Sequence, residues 1–235
     1  MDKKAIALIG LGAAGLTAGL HRLLGLVPIM PVAAAKEAAY VDHAFEGMLA
    51  LTVPIFALVV SALAYSLLVF RARGPKEEGV RFHHSPGHFV EAVWLACSLV
   101  LTLGLTAYGA RELRLVRGDD AADLDVQITA AQFSWEFYYP AHNQYSPRLV
   151  LPVGQRVRIL LKSDDVVHSF WVPEFRLKQD VVPGKLVKLY LTPTRPGAYR
   201  LQCAELCGME HTVMTAEVEV VEPAAFEKAM AGESW

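Results

Sequence analysis

Cysteine is scarce in this chain, with only three among 235 residues. Three cysteines are too few for the disulfide framework of a small secreted domain, so we interpret the closest pair, Cys203 and Cys207, as a site. Cys97 lies in an apolar run and is predicted to be a small buried side chain. The sequence contains no Cys-x-x-Cys-His motif, which argues against a covalently attached haem.

Charged residues are also few, at 20% of the chain, whereas hydrophobic residues make up 54% and the mean hydropathy is +0.32. These values are typical of a protein that is part membrane and part soluble. Residues 119–235 carry 16 acidic and 11 basic side chains, a formal charge of −5, whereas the rest of the chain carries +3. An acidic soluble half argues against nucleic acid and favours a basic partner, although acidity that serves only solubility stays open.

The first apolar run, residues 5–20, follows Lys3 and Lys4 and is followed at 32–35 by Val-Ala-Ala-Ala. A basic start, an apolar stretch and small residues predict a signal peptide or targeting segment over residues 1–40. The run is short for a membrane span, which needs about 20 residues. An uncleaved extra membrane helix is the alternative.

Two further apolar runs, 47–70 and 92–110, contain no charged side chain. They predict a two-helix transmembrane hairpin within residues 41–118, with spans at about 47–70 and 90–110. The intervening loop, 71–88, is basic through Arg71, Arg73, Lys76 and Arg81, which favours the cytoplasmic side. Residues 119–235 are therefore expected on the outer side.

Short alternating segments follow residue 118, separated by turn signals such as Pro183-Gly184 and Pro196-Gly197. Strands are predicted at 125–131, 155–162, 185–191, 198–203 and 214–221, with a short helix at 224–230. Many short strands in about 100 residues favour an all-β sandwich or Greek-key barrel.

The segment 203–214, Cys-Ala-Glu-Leu-Cys-Gly-Met-Glu-His-Thr-Val-Met, concentrates metal ligands, and His168 lies upstream. Thiolate, imidazole and thioether donors together suit copper. Two cysteines four residues apart could both bridge a pair of coppers. The capping ligands would then be His168, His211, Met214 and a backbone carbonyl, expected to be that of Glu205.

Three other interpretations of the cluster stay open on the residues alone. Zinc could bind Cys203, Cys207, His211 and His168, although no second histidine follows His211 at the usual spacing. A disulfide would leave the histidines and Met214 without a role. A thioredoxin-type copper-delivery protein also uses Cys-x-x-x-Cys, but it needs alternating helices and strands.

Both the 203–214 segment and residues 164–184, Asp-Asp-Val-Val-His-Ser-Phe-Trp-Val-Pro-Glu-Phe-Arg-Leu-Lys-Gln-Asp-Val-Val-Pro-Gly, resemble cytochrome c oxidase subunit II. The resemblance covers about residues 45–222. It implies a cupredoxin-like barrel with a binuclear CuA centre, whose ligands would be His168, Cys203, Glu205 through its carbonyl, Cys207, His211 and Met214.

The resemblance also implies an activity. The chain would accept electrons from a cytochrome c-type donor and pass them to haem in subunit I, where oxygen is reduced and protons are translocated. Subunit I, other oxidase subunits and membrane lipid would be its partners, in a bacterial cytoplasmic membrane with the CuA domain outside. The chain would carry no catalytic residue of its own. The alternatives are the CuA subunit of a nitric oxide reductase and a membrane-anchored copper-delivery protein.

Further roles are implied for carboxylates. The side chain of Glu205 would join a magnesium or manganese site shared with subunit I, unless it is only a solvated loop acid. Glu91, three residues before Trp94, would stand at a proton-path entrance, or else be an ordinary interfacial residue. The family often has a proline shortly after this tryptophan, and this chain lacks it. Asp165 and Asp180 would belong to the donor-docking surface.

The aromatic run Gln132-Phe133-Ser134-Trp135 stands where the family often has Gln-Trp-Tyr-Trp. The resemblance implies electron entry at Phe133, with Trp135 behind it supporting the copper loop. Strand alternation predicts that Phe133 and Trp135 share a face and that Ser134 lies on the other. Packing in the core is the alternative role for these aromatic side chains.

Overall fold

The computed structural model describes residues 3–71, 87–118 and 121–232. The chain divides into two compact units, a helical unit of residues 1–29 and 44–110 and an outer unit of residues 30–43 and 111–235. Most of the predicted inner loop, including Arg73, Lys76 and Arg81, lies outside the described residues, as does the predicted domain start at Asp119.

Three long helices supply the helical unit: α1 (Lys3–Leu26), α2 (Lys36–Val69) and α3 (His88–Arg117). Each is long and apolar enough to cross a membrane, so the described residues contain three candidate spans where the sequence predicted a two-helix hairpin. The difference arises because α1 continues through His21 and Arg22 instead of ending with the uncharged run.

The prediction that Cys97 is buried was wrong, because this residue is exposed on α3. An apolar run indicates a buried side chain only when a protein core surrounds it. In a helix that is apolar on all sides, the outward side chains face lipid instead.

The outer unit is a β-sandwich of two five-stranded sheets, ordered β3-β2-β1-β5-β8 and β4-β10-β9-β6-β7. Parallel pairing joins β1 to β5 and β4 to β10, and the other pairs are antiparallel. The predicted cupredoxin-like β domain is confirmed. Its strands are β1 (Leu124–Ala131), β2 (Ser134–Tyr139), β3 (Gln144–Ser146), β4 (Leu149–Pro152), β5 (Val157–Ser163), β6 (His168–Val172), β7 (Leu177–Val181), β8 (Val187–Leu191), β9 (Gly197–Cys203) and β10 (Thr215–Val221).

Alternation along the strands builds the core. In β1, buried and half-buried residues alternate at every position, so Val126 and Ile128 point between the sheets. Ile159 and Leu161 of β5 do the same. Each such buried aliphatic side chain stabilises the fold by about 1.5–3 kcal/mol. The five predicted strands and the terminal helix, α4 (Pro223–Met230), are confirmed.

Residues 30–43, which we call the strap, belong to the outer unit although most of α2 and α3 lies between them and residue 111 in sequence. The N–H of Ala34 donates to the carbonyl of Glu174 at 2.8 Å, and its own carbonyl accepts from the N–H of Thr194 at 2.9 Å. Ala35 pairs with Pro193 as an isolated bridge. Ala34 and Ala35, two of the small residues that suggested a cleavage site, are therefore packed into the outer unit.

The strap is also held by charge. Glu37, which is only 1% exposed, lies 3.2 Å from Arg156 and accepts from the backbone N–H of Thr192 at 2.9 Å. Asp42 accepts from the guanidinium of Arg176 at 2.7 Å. A buried carboxylate is stable only when paired and hydrogen-bonded, and Glu37 meets both conditions.

Candidate metal centre

The ligand loop is held at both ends by the β9–β10 hairpin. Cys203 is the last residue of β9, and Met214 directly precedes β10. The N–H of Cys203 donates to the carbonyl of Met214 at 3.0 Å, which closes the loop. His168 begins β6, the strand beside β9, and so stands next to the start of the loop.

One end of the cluster is built around Cys203. Its Sγ lies 3.8 Å from Nδ1 of His168 and 3.3 Å from the carbonyl oxygen of Glu205. The ligand atoms of His168, Cys203 and Cys207 all lie within 4.8 Å of one another, and all three residues are buried.

The other end is built around Cys207. Its Sγ lies 3.6 Å from Nδ1 of His211 and 3.7 Å from Sδ of Met214. The two cysteine sulfurs are 3.9 Å apart. The structure thus brings together all six donor groups that the sequence predicted, with one imidazole at each sulfur.

The sulfur separation decides against a disulfide, whose S–S bond is about 2.05 Å, and both thiols are free. The arrangement also differs from a single tetrahedral zinc site, because each sulfur has its own imidazole and a thioether completes one end. Soft thiolate and thioether donors with imidazole fit copper, and two sulfurs between two imidazoles fit a pair of ions.

Burial shapes the chemistry of the thiols. Desolvation, together with the neighbouring Cys203, raises the pKa of Cys207 to about 11 in the metal-free chain. The thiol is therefore protonated at neutral pH until a cation binds, because metal ligation requires the thiolate.

His168 is fully buried and oriented by Asp165. Its Nε2–H donates to the Asp165 carboxylate at 2.7 Å, which leaves Nδ1 directed at Cys203. A carboxylate on the second nitrogen of a ligating histidine fixes the ring tautomer and orientation. Partial desolvation raises the pKa of Asp165, but hydrogen bonds from His168, Gln132 and Val166 outweigh it and leave that pKa below its usual value.

Phe133 lies in the turn between β1 and β2, directly against the ligand loop. A Cβ added to Gly208 would stand 2.9 Å from the Phe133 ring, so the two segments are in contact. Trp135 is buried, with its ring 6.2 Å from His168 and 6.3 Å from Phe170. The alternation argument for a shared face does not apply, because Phe133 is not in the strand; β2 begins at Ser134.

Three predicted residues contribute no side-chain donor atom to the cluster. Asp180 is exposed on β7, and the side chain of Glu205 is exposed although its carbonyl faces Cys203. Glu91 is exposed on α3 in the helical unit, where it lies 3.9 Å from His88. Sequence reasoning missed Gln132, which contacts the ligand loop, although its place directly before the aromatic pair was a usable signal.

Comparison with known proteins identifies the family. The family profile described as "Cytochrome C oxidase subunit II, periplasmic domain" matches residues 125–221. Cytochrome c oxidase subunit 2 of Synechocystis sp. is 30% identical over 236 residues, which cover 78% of this chain and 69% of the relative. This chain belongs to the cytochrome c oxidase subunit II family.

Further similar proteins also carry the subunit II name. The protein of that name from Thermostichus vulcanus is 37% identical over 182 residues, covering 73% of this chain and 55% of the relative. The solved periplasmic domain of subunit II from Bradyrhizobium japonicum aligns with 28% identity and a TM-score of 0.46, over 48% of this chain and 94% of that one. Subunit II membership implies a copper centre, and the nitric oxide reductase and copper-delivery alternatives are not favoured.

Proposed function

We propose that the six-donor cluster is the electron-entry centre of a membrane-bound cytochrome c oxidase. The chain would accept electrons from a c-type cytochrome and pass them to haem in subunit I, where oxygen is reduced with proton translocation. The observation that carries the proposal is the pair of buried sulfurs 3.9 Å apart, each with its own imidazole within 4 Å.

The donor set fits two coppers. Two coppers held by these residues would supply a one-electron carrier. Closure of the loop by the hairpin and the buried positions of the sulfurs restrict ligand movement, which keeps the barrier to electron transfer low. The residues that would hold the pair are Cys203 with His168 and the Glu205 carbonyl beside it, and Cys207 with His211 and Met214 beside it.

The donor would dock over the ligand loop. Exposed apolar side chains there support an apolar contact centre: Leu206, Met209 and Val213 are 78%, 98% and 67% exposed. Phe133, against Gly208, is the proposed entry point, with Trp135 behind it. The surrounding acidity of residues 119–235, including Asp180, would attract a basic partner. Asp165, whose carboxylate accepts a hydrogen bond from His168, is proposed to add its negative charge to the same docking surface.

As a subunit II protein with apolar helices, the chain is a membrane protein with a periplasmic domain, and other oxidase subunits are its partners. We propose a bacterial cytoplasmic membrane, with α2 and α3 crossing the lipid and the loop after Arg71 inside. We propose that α1 is either a targeting segment or a third span. The proposed metal domain, 119–235, is extended by the strap.

Two carboxylates have roles proposed only from the family. The exposed side chain of Glu205 is available to a hard cation such as Mg²⁺ or Mn²⁺, with the remaining ligands on subunit I. Glu91 is exposed in the first turn of α3 and is proposed to stand at a proton-path entrance.

Metal analysis of the purified full chain tests the proposal. We expect two coppers per chain and an optical spectrum of a shared electron. Cys207→Ser should abolish that spectrum, because a hydroxyl cannot replace a bridging thiolate. Cys97→Ser, the same change at the exposed cysteine of α3, should leave it intact.

One copper per chain, or zinc in place of copper after loading with both, would contradict the proposal. Measuring the consumption of oxygen and of nitric oxide by the intact complex distinguishes an oxidase from a nitric oxide reductase. A complex that consumes nitric oxide but not oxygen would be a nitric oxide reductase.

A further inference from the structure

Gln132, in the turn between β1 and β2, connects three segments that surround the cluster. Its side-chain amide donates from Nε2 to the carbonyl of Cys207 at 2.5 Å. Its backbone N–H donates to Oδ2 of Asp165 at 2.6 Å. The other oxygen of that carboxylate accepts from Nε2 of His168. A single residue therefore contacts the ligand loop directly and the buried histidine through one carboxylate.

The absence of a side chain at Gly208 makes the contact with the loop possible. A Cβ there would stand 2.9 Å from Nε2 of Gln132, closer than real Cβ atoms approach, and Gly208 has a φ of +141°. Backbone of this kind is adopted almost only by glycine. The loop thus presents its bare backbone to Gln132.

We propose that Gln132 is a positioning residue for the copper centre. Its amide fixes the peptide carbonyl of Cys207, and with it the direction of the Cys207 sulfur. Its backbone N–H holds Asp165 where it orients His168. The inference rests on the proposed function, because it concerns how this chain holds the same cluster ready for metal.

Orientation of this kind has a measurable effect on metal sites. Partners that hydrogen-bond to ligating groups without touching the metal change metal affinity by about 10–100-fold when they are removed. Gln132 is exposed overall, so replacing its side chain leaves the core packing intact. The hydrogen bond from the backbone N–H to Asp165 is kept in every substitution except proline. Side-chain variants of Gln132 therefore remove only the hydrogen bond to the Cys207 carbonyl.

The test compares Gln132→Met with Gln127→Met in the full chain. Both changes replace an amide by a thioether of similar length, but Gln127 lies in the middle of β1, where it pairs with Tyr138 of β2. We expect Gln132→Met to weaken copper binding by about 10-fold or more and to shift the optical spectrum and the redox potential. Gln132→Glu, which keeps the shape and removes the donor, should do the same. Gln127→Met should behave as the parent.

A second measurement needs neither substitution nor copper. In the metal-free full chain labelled with ¹⁵N-glutamine, the side-chain amide protons of Gln132 should exchange with solvent more slowly than those of Gln127. Equal exchange would show that the bond to Cys207 does not persist and would overturn the proposal.

The outcomes separate the two levels of inference. A parent chain that does not bind two coppers refutes the proposed function. A parent that binds two coppers, together with a Gln132→Met variant that has the affinity, spectrum and potential of Gln127→Met, refutes the positioning role alone.

Discussion

Gly208 is the position where a single methyl group should separate the aromatic turn from the ligand loop. In Gly208→Ala, the new Cβ would meet Nε2 of Gln132 and the ring of Phe133, each at 2.9 Å. Both are ends of side chains, so they would swing aside and the backbone would stay in place. The cost is the lost hydrogen bond, about 0.5–1.5 kcal/mol, and a non-glycine residue at a φ of +141°, about 1–3 kcal/mol.

We therefore expect Gly208→Ala to lower the free energy of unfolding of the metal-free chain by about 1.5–4.5 kcal/mol. It should also slow reduction of the copper centre by its donor, because Phe133 is displaced. Thermal unfolding followed by circular dichroism measures the first effect, and stopped-flow reduction measures the second.

Gly154→Ala is the matched control. Gly154 also has a positive φ, +78°, but a Cβ there meets nothing within 4 Å. Its free energy of unfolding should therefore fall only by the cost of a left-handed backbone, about 1–2 kcal/mol. Its copper spectrum and reduction rate should be unchanged. The reasoning fails if the two variants have the same reduction rate and the same spectrum, because contact at Gly208 would then have no bearing on the site.

Three further predictions concern the metal site and its donor. Phe133→Ala should slow reduction by the donor without loss of copper, and Tyr145→Ala, at an exposed aromatic residue, is its control. Trp135→Ala should lower the free energy of unfolding by about 3–5 kcal/mol or cause loss of copper. If Phe133→Ala is reduced at the rate of the parent protein, electrons enter elsewhere. Met214→Leu should keep copper, because the volumes are similar and a thioether is a weak ligand, but shift the redox potential; copper-free folded protein would contradict this. The donor reaction should slow as salt rises and the Debye length falls to about 10 Å at 0.1 M; a rate that is flat with ionic strength would favour an apolar dock.

The ligand cluster was predictable because its signal is local. Cys203, Cys207, His211 and Met214 lie within one segment, and their combination of thiolate, imidazole and thioether donors favours copper. Strands such as β1 and β5 were predictable because one buried face imposes a period of two on the sequence. His168 was first predicted as a donor from its residue type, and the resemblance supported it further, because its own segment does not indicate which loop it faces.

The features that the sequence did not indicate depend on contacts between distant residues. Glu37 and Arg156 are 119 positions apart, and neither has a periodic or motif signal of its own. Gln132 and Cys207 are 75 positions apart, joined by one amide. The extent of α1 was underestimated because a charged pair looked like an end, although a helix can carry His21 and Arg22 without breaking.

The strap has a consequence for membrane topology. Residues 30–43 precede most of α2, residues 111–232 include the end of α3 and the whole β-sandwich, and both belong to one folded unit. A unit closed by the buried pair Glu37 and Arg156 can form only if both parts of the chain are on the same side of the membrane. We therefore expect the chain to cross the bilayer an even number of times between residues 43 and 111, so that α3 returns across the membrane if α2 crosses it.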